Sequence, residues 1–250
     1  MPTSSHDAHP IIAKLESILT LTDEERAAIQ RLPMQVMTLR ADQDIVREGD
    51  RPSRCCLLLQ GFACRYKVTA PGKRQIMAFH MLGDIPDLQS LHLTTLDHSL
   101  GTITPCEVGF IRHEDVCDLV RRFPRIGDAF WRDTLIDAAV FRAWMVGMGR
   151  REAYGRIAHL LCELLCEVMV KLRAVGLADG QRCELPITQA EFGDALGLST
   201  VHVNRVLQEL RGNGLITLRS GSLTVLDWDG LRQAGEFDPT YLHLDRKQAA

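Results

Sequence analysis

The sequence predicts an α+β chain, with an N-terminal antiparallel β-roll, a long dimerisation helix and a C-terminal winged helix-turn-helix. Three observations carry that expectation. Glycines at Gly49, Gly61, Gly72 and Gly83 separate short segments of strand-type residues. The apolar pattern then changes, and Ile126–Met148 has helical spacing. Finally, Ile187 to Arg211 reads ITQAEFGDALGLSTVHVNRVLQELR, two short helices joined by a tight turn.

Each element has a local reason. Pro10 to Leu32 reads as one or two short helices, with Thr22 and Glu25 at capping-box spacing. Cys55–Gln60, Phe62–Val68 and Gln75–Met81 read as strands, and Ile103–Ile111 as a further one. Phe62, Cys64, Tyr66 and Val68 alternate with Ala63, Arg65 and Lys67, the period of a half-buried strand. In the long helix, Phe130, Trp131, Ile136, Val140, Phe141 and Trp144 cover more than one face. A helix apolar on two sides has two partners, here its own roll and the same helix of a second subunit. A charge at Val140 or Trp144 is expected either to destabilise the fold or to yield monomers, because one of the two apolar faces would lose its partner. Gly147 to Arg151 reads as a hinge before a helix over Ala153–Leu172. The expected division is a roll over 10–125, the long helix over 126–148, the winged helix-turn-helix over 149–235 and a tail over 236–250.

The helix-turn-helix is the most specific segment. Thr188 and Glu191 form a second capping box, and Ile187 and Phe192 have the spacing of a hydrophobic staple. Gly197 can adopt the left-handed conformation that ends a helix. Ser199 caps the next one. That helix places Val203, Val206, Leu207 and Leu210 on one stripe. Its opposite side, at about 100° per residue, centres on Val201, Arg205 and Gln208, flanked by Thr200, His202 and Asn204. Arginine can donate two bonds to guanine, glutamine or asparagine can pair with adenine, and a valine suits a thymine methyl. Ser199, Thr200, Val201, His202, Asn204, Arg205 and Gln208 are therefore the candidate DNA contacts. Leu215–Arg219, a Ser220-Gly221-Ser222 turn and Leu223–Leu226 follow as a hairpin, or wing, on which Arg219 is a candidate phosphate contact.

Charge is weaker evidence. The chain carries 29 Lys and Arg against 32 Asp and Glu, net −3. Between residues 186 and 232 four arginines face five acids. DNA-binding modules are commonly basic, so placement matters here more than total. No apolar run approaches the roughly 20 residues needed to span a bilayer. MPTSSHDAHP has neither a basic start nor an apolar core, so no secretory signal is expected and the chain reads as cytoplasmic. The eight cysteines contain no CxxC and are expected to be reduced. Cys162 and Cys166, four apart on a helix, fit buried small residues better than half a metal site. No metal, cofactor or catalytic group is expected. A cupin-like enzyme would need a His-x-His with a nearby carboxylate, which is missing, and Asp97, His98 and Ser99 form no triad by sequence adjacency alone.

The order of roll, long helix, hinge and winged helix-turn-helix resembles the Crp–Fnr family of bacterial transcription regulators over nearly the whole chain. The matching residues are Arg47-Glu48-Gly49-Asp50, Leu57–Gly61, Cys106-Glu107-Val108, Gly155-Arg156-Ile157-Ala158 and the Ile187–Leu210 block. The resemblance implies a homodimer on an inverted-repeat DNA site, with RNA polymerase as a further partner. It implies that Arg205 reads a base, whereas the family's acidic reader falls at Val201.

The effector side departs from the family pattern. Cyclic-nucleotide-binding members carry a Gly-Glu pair and then Arg-Ser or Arg-Thr. Here Gly83-Asp84 replaces the pair, Leu96 or its neighbours stand where the arginine belongs, and no arginine lies between Arg74 and Arg112. A buried phosphate without a cation is costly, so no cyclic nucleotide is expected. Oxygen-sensing members carry an N-terminal cysteine cluster, and residues 1–54 contain no cysteine. An alternative reading makes His80, His92, His98 and His113 a metal or haem site. A haem-binding member uses a histidine near His80 and an N-terminal proline, which would be Pro2, but its cysteine two residues before the histidine is Ala78 here. A small-molecule-binding module is a further alternative, and no effector is identified by the sequence.

Overall fold

A computed structural model describes residues 9–174 and 182–244, with side chains left aside from 167 to 174. Pro2, invoked for haem ligation, and the last residues of the tail lie outside these. The elements run α1 (Pro10–Glu16), α2 (Asp23–Gln30), β1 (Gln35–Leu39), β2 (Asp44–Val46), β3 (Arg54–Gln60), β4 (Ala63–Val68), β5 (Arg74–His80), β6 (Ser99–Thr102), β7 (Cys106–Arg112), α3 (His113–Arg122) and α4 (Pro124–Arg150). They continue with α5 (Ala153–Ala174), β8 (Arg182–Glu184), α6 (Gln189–Leu196), α7 (Thr200–Gly212), β9 (Ile216–Arg219), β10 (Ser222–Val225) and α8 (Trp228–Ala234). The described residues form two compact units, one of 9–67, 77–137 and 244, the other of 68–76, 138–174 and 182–243.

In the first unit β7 pairs antiparallel with both β1 and β3, and β6 pairs antiparallel with β2 and β4. Leu39, Cys56, Leu58, Ala63, Leu100, Val108 and Phe110 fill the roll. A second cluster joins Ile11, Leu15 and Ile29 of the N-terminal helices to Leu57, Ile111, Leu119, Ile126 and Phe130. Thr22 and Glu25 form the expected capping box at the start of α2.

Two expectations for the roll are corrected. Ile103–Ile111 is not one strand, because the chain turns at Ile103–Pro105 between β6 and β7. Arg65, placed on the open side of its strand, is buried: Nη1 meets Asp137 Oδ2 at 2.9 Å and Nη2 donates to Pro86 O at 2.6 Å. Val68, expected inward, is exposed. On α4, Val140 is buried, and Trp144 donates from Nε1 to Glu163 Oε1 at 2.7 Å. Glu163, only 2% exposed, also accepts from Tyr241 at 2.5 Å. Trp144, half-buried, therefore joins a network with α5 and the residues after α8, centred on the buried Glu163. The large apolar residues left exposed on α4 are Trp131, Leu135, Met145, Val146 and Met148.

In the second unit β10 pairs antiparallel with β9 and with β8, a third strand that three residues of sequence did not announce. Beyond α8, Phe237 and Leu242 are buried.

Candidate nucleic-acid interface

α6 begins as its sequence dictates. Thr188 Oγ1 accepts from Glu191 N at 3.2 Å, and Glu191 Oε2 accepts from Thr188 N at 2.6 Å. These bonds satisfy two N–H groups that a helix start otherwise leaves open. α6 ends at Gly197, whose φ of 65° is left-handed. The tight turn depends on a second glycine. A Cβ on Gly193 would stand 2.6 Å from Leu198 O, and Gly193 O accepts from Leu198 N at 3.0 Å. Arg156, in the Gly-Arg-Ile-Ala stretch of α5, donates to Leu196 O at 2.9 Å and so satisfies a carbonyl at the end of α6. Neither Gly193 nor Arg156 was among the site residues expected from sequence. An arginine within a run of apolar helix residues is the signal that could have found the second.

Ser199 caps α7 by accepting from His202 N at 3.3 Å. Val203, Val206, Leu207 and Leu210 are buried beneath the helix. The face turned away from them carries Thr200, Val201, Arg205 and Gln208, all exposed, with Val201 at 81%. Among the described residues, Arg205 makes no hydrogen bond or ion pair. His202 and Asn204 are half-buried at its flank. Asn204 is not free, because its Nδ2 donates to Gln189 Oε1 at 3.1 Å. Arg219 is exposed at the end of β9, beside the Ser220-Gly221 turn, where both residues have positive φ. Six of the eight candidate contacts therefore lie on one helix side or its cap, Asn204 is tied to α6, and Arg219 is separate on the wing.

The roll offers a different picture. Asp84, of the Gly83-Asp84 pair, accepts from Lys14 at 3.0 Å and from Met81 N at 2.9 Å. Lys14 also meets Asp133 at 2.9 Å. Burial pushes Asp87 up to about 7. Its Oδ1 accepts from Cys56 N at 2.8 Å, and its Oδ2 has no hydrogen-bond partner among the described residues. The four histidines weighed as a metal or haem set have separate surroundings. His80 Nδ1 is 4.0 Å from Asp84, His98 bonds Asp97 and Gln89, and His113 bonds Ser90 at 2.9 Å. His92 lies at the end of the short 3-10 turn Leu88–Leu91. Burial raises the thiol pKa of Cys55 and Cys56 and pushes Cys162 up to about 12, which disfavours the reactive thiolates.

A capped helix with one buried and one open face, set in a two-helix turn and followed by a hairpin, defines a winged helix-turn-helix DNA-binding protein. Comparison with known proteins agrees. Residues 155–234 match the Crp-like helix-turn-helix domain, and residues 36–123 match the cyclic nucleotide-binding domain. The chain is 24% identical over 212 residues to the transcriptional activator protein anr of Pseudomonas aeruginosa, covering 84% of each chain. It is 21% identical over 225 residues to the fumarate and nitrate reduction regulatory protein of Escherichia coli, covering 89% of this chain and 87% of that one. Its fold is shared with FixK2 from Bradyrhizobium japonicum, with a TM-score of 0.72 at 21% identity, over 88% of this chain and 100% of the other. The chain belongs to the Crp–Fnr family and is a DNA-binding transcription regulator of that type.

Proposed function

We propose that the protein binds an inverted-repeat DNA site as a homodimer, with α7 in the major groove, and does so without a cyclic nucleotide. The observation that carries the groove assignment is the open face of α7, with Val201, Arg205 and Gln208 directly opposite a fully buried stripe. On this reading Arg205 pairs with guanine, Val201 meets a thymine methyl, and Arg219 touches a phosphate. RNA polymerase is the expected further partner, in keeping with relatives named as transcriptional activators.

Dimerisation is supported by α4. Trp131 and Leu135, four residues apart on α4, stay exposed, an apolar surface that a second copy of the helix would cover. Independence from cyclic nucleotides is supported by the cations. Arg65 is engaged by Asp137 and Pro86, Arg74 by Asp194 at 2.7 Å, and Lys14 by two carboxylates. A phosphate would have to displace one of these pairs.

Selection from random duplexes, followed by gel shift at fixed salt, tests the proposal. A symmetric site is expected, and Arg205→Ala should lose about 1–3 kcal/mol on it with relaxed preference at one base pair per half-site. Equal weakening on every sequence would reduce Arg205 to a phosphate contact. Leu135→Glu should yield folded monomers by sedimentation, with weaker DNA binding because the second half-site loses its effective concentration. A folded Leu135→Glu dimer would remove α4 as the interface. Calorimetry with cyclic AMP and cyclic GMP should give no saturable heat at micromolar ligand.

A further inference from the structure

The bond between Asn204 and Gln189 has a consequence for base selection. Gln189 opens α6, Asn204 sits in the first half of α7, and they are 15 residues apart. Both are half-buried, so each also has an open side. A carboxamide has two N–H donors and one carbonyl acceptor. Donating one N–H to Gln189 leaves Asn204 with one N–H and Oδ1, the donor and acceptor that match N7 and N6 of adenine. With Gln189 presenting Oε1, turning Asn204 alone about its terminal torsion would set Oδ1 against Oε1, two acceptors facing each other. α6 and α7 are already in contact, with Phe192, Ala195, Val203 and Leu207 buried and a close approach at Gly193. The amide bond is not needed to hold them.

We propose that Gln189 is a positioning residue for sequence reading: it touches no base, yet it fixes the orientation in which Asn204 selects adenine at one base pair of each half-site. The proposal rests on the assignment of α7 to the major groove. It adds a specificity determinant on the other helix of the motif.

Selection from random duplexes by the full-length chain, with sequencing of the bound pool, tests it. The wild type should enrich adenine at one position per half-site, and Asn204→Ala should reduce that preference by about tenfold. Gln189→Ala should reduce preference at the same position, and the double variant should be no worse there than Asn204→Ala, as expected when one residue acts through the other. Gln189→Glu keeps the acceptor and should keep the adenine preference, while its charge weakens binding to all sequences alike. Three results would overturn the proposal. Gln189→Ala could weaken every sequence evenly with a shallower salt dependence, it could change nothing, or its effect could fall at a different position from that of Asn204→Ala. Arg205→Ala, run in parallel, separates this from the groove assignment. A lost preference at its own base pair upholds α7 in the groove whatever Gln189 does. No change from either Arg205→Ala or Asn204→Ala would overturn the groove assignment itself.

Discussion

Arg205 and Arg65 are both arginines on regular elements, and they meet opposite fates. Arg205 stands on the open face of α7 with no ion pair among the described residues. Arg65 stands on β4, buried, with Asp137 and a backbone carbonyl holding its guanidinium. The contrast extends to their surroundings. Around α7 the apolar stripe and the caps supply the stability, and the outward polar groups are available to a partner. In the roll, Arg65, Lys14, Asp84 and Asp87 are turned toward other protein groups. Polar substitutions should therefore divide cleanly, altering stability in the roll and DNA choice on α7.

The largest expected effect sharpens the roll half of this comparison. Burial raises the Asp87 carboxyl from its ordinary value to about 7. A group whose pKa is raised on folding contributes stability below its unfolded pKa and loses that contribution as pH rises through the folded one. Stability should thus decline between about pH 4 and pH 7 through this residue. Asp87→Asn removes the titration, so its stability relative to the wild type should rise by up to about 4 kcal/mol between pH 4 and the range above pH 7, one unit of pKa being 1.36 kcal/mol. Urea denaturation of both proteins at pH 5 and pH 8 measures this. A gap that does not widen with pH would mean that Asp87 is solvated after all.

A smaller effect tries to break the comparison at Arg65. Arg65→Gln leaves Pro86 O and Asp137 without their charged donor and should cost about 1–3 kcal/mol. The selected DNA sequence should be unchanged. An altered half-site would tie the roll to base reading and dissolve the distinction.

The same contrast explains what the sequence could reveal. The two capping boxes, Gly197, the Ser199 cap and the stripe of α7 depend on residues three to seven positions apart, and all were legible. Long-range partners were not. β1 exists because Gln35–Leu39 pairs with Cys106–Phe110, some 70 residues on, and its own five residues carry no clear period. Arg65 is inward because Asp137 lies 72 positions away. Which neighbour Trp144 meets was likewise not legible, because Glu163, 19 residues away on α5, accepts its N–H. For the DNA-contact candidates, the open face was read correctly from helical angle, while the bond committing Asn204 joins two helices and left no mark in local pattern.

Val201→Glu tests the central claim most directly, because Val201 is 81% exposed and lies at the centre of the face assigned to the groove. Stability should change by no more than about 0.5 kcal/mol, as for ordinary surface substitutions. Selection from random duplexes at one fixed salt concentration should then give a half-site altered at one symmetric position, where a carboxylate accepting from cytosine replaces contact with a thymine methyl. The same selected sequence from the variant and the wild type would contradict the account.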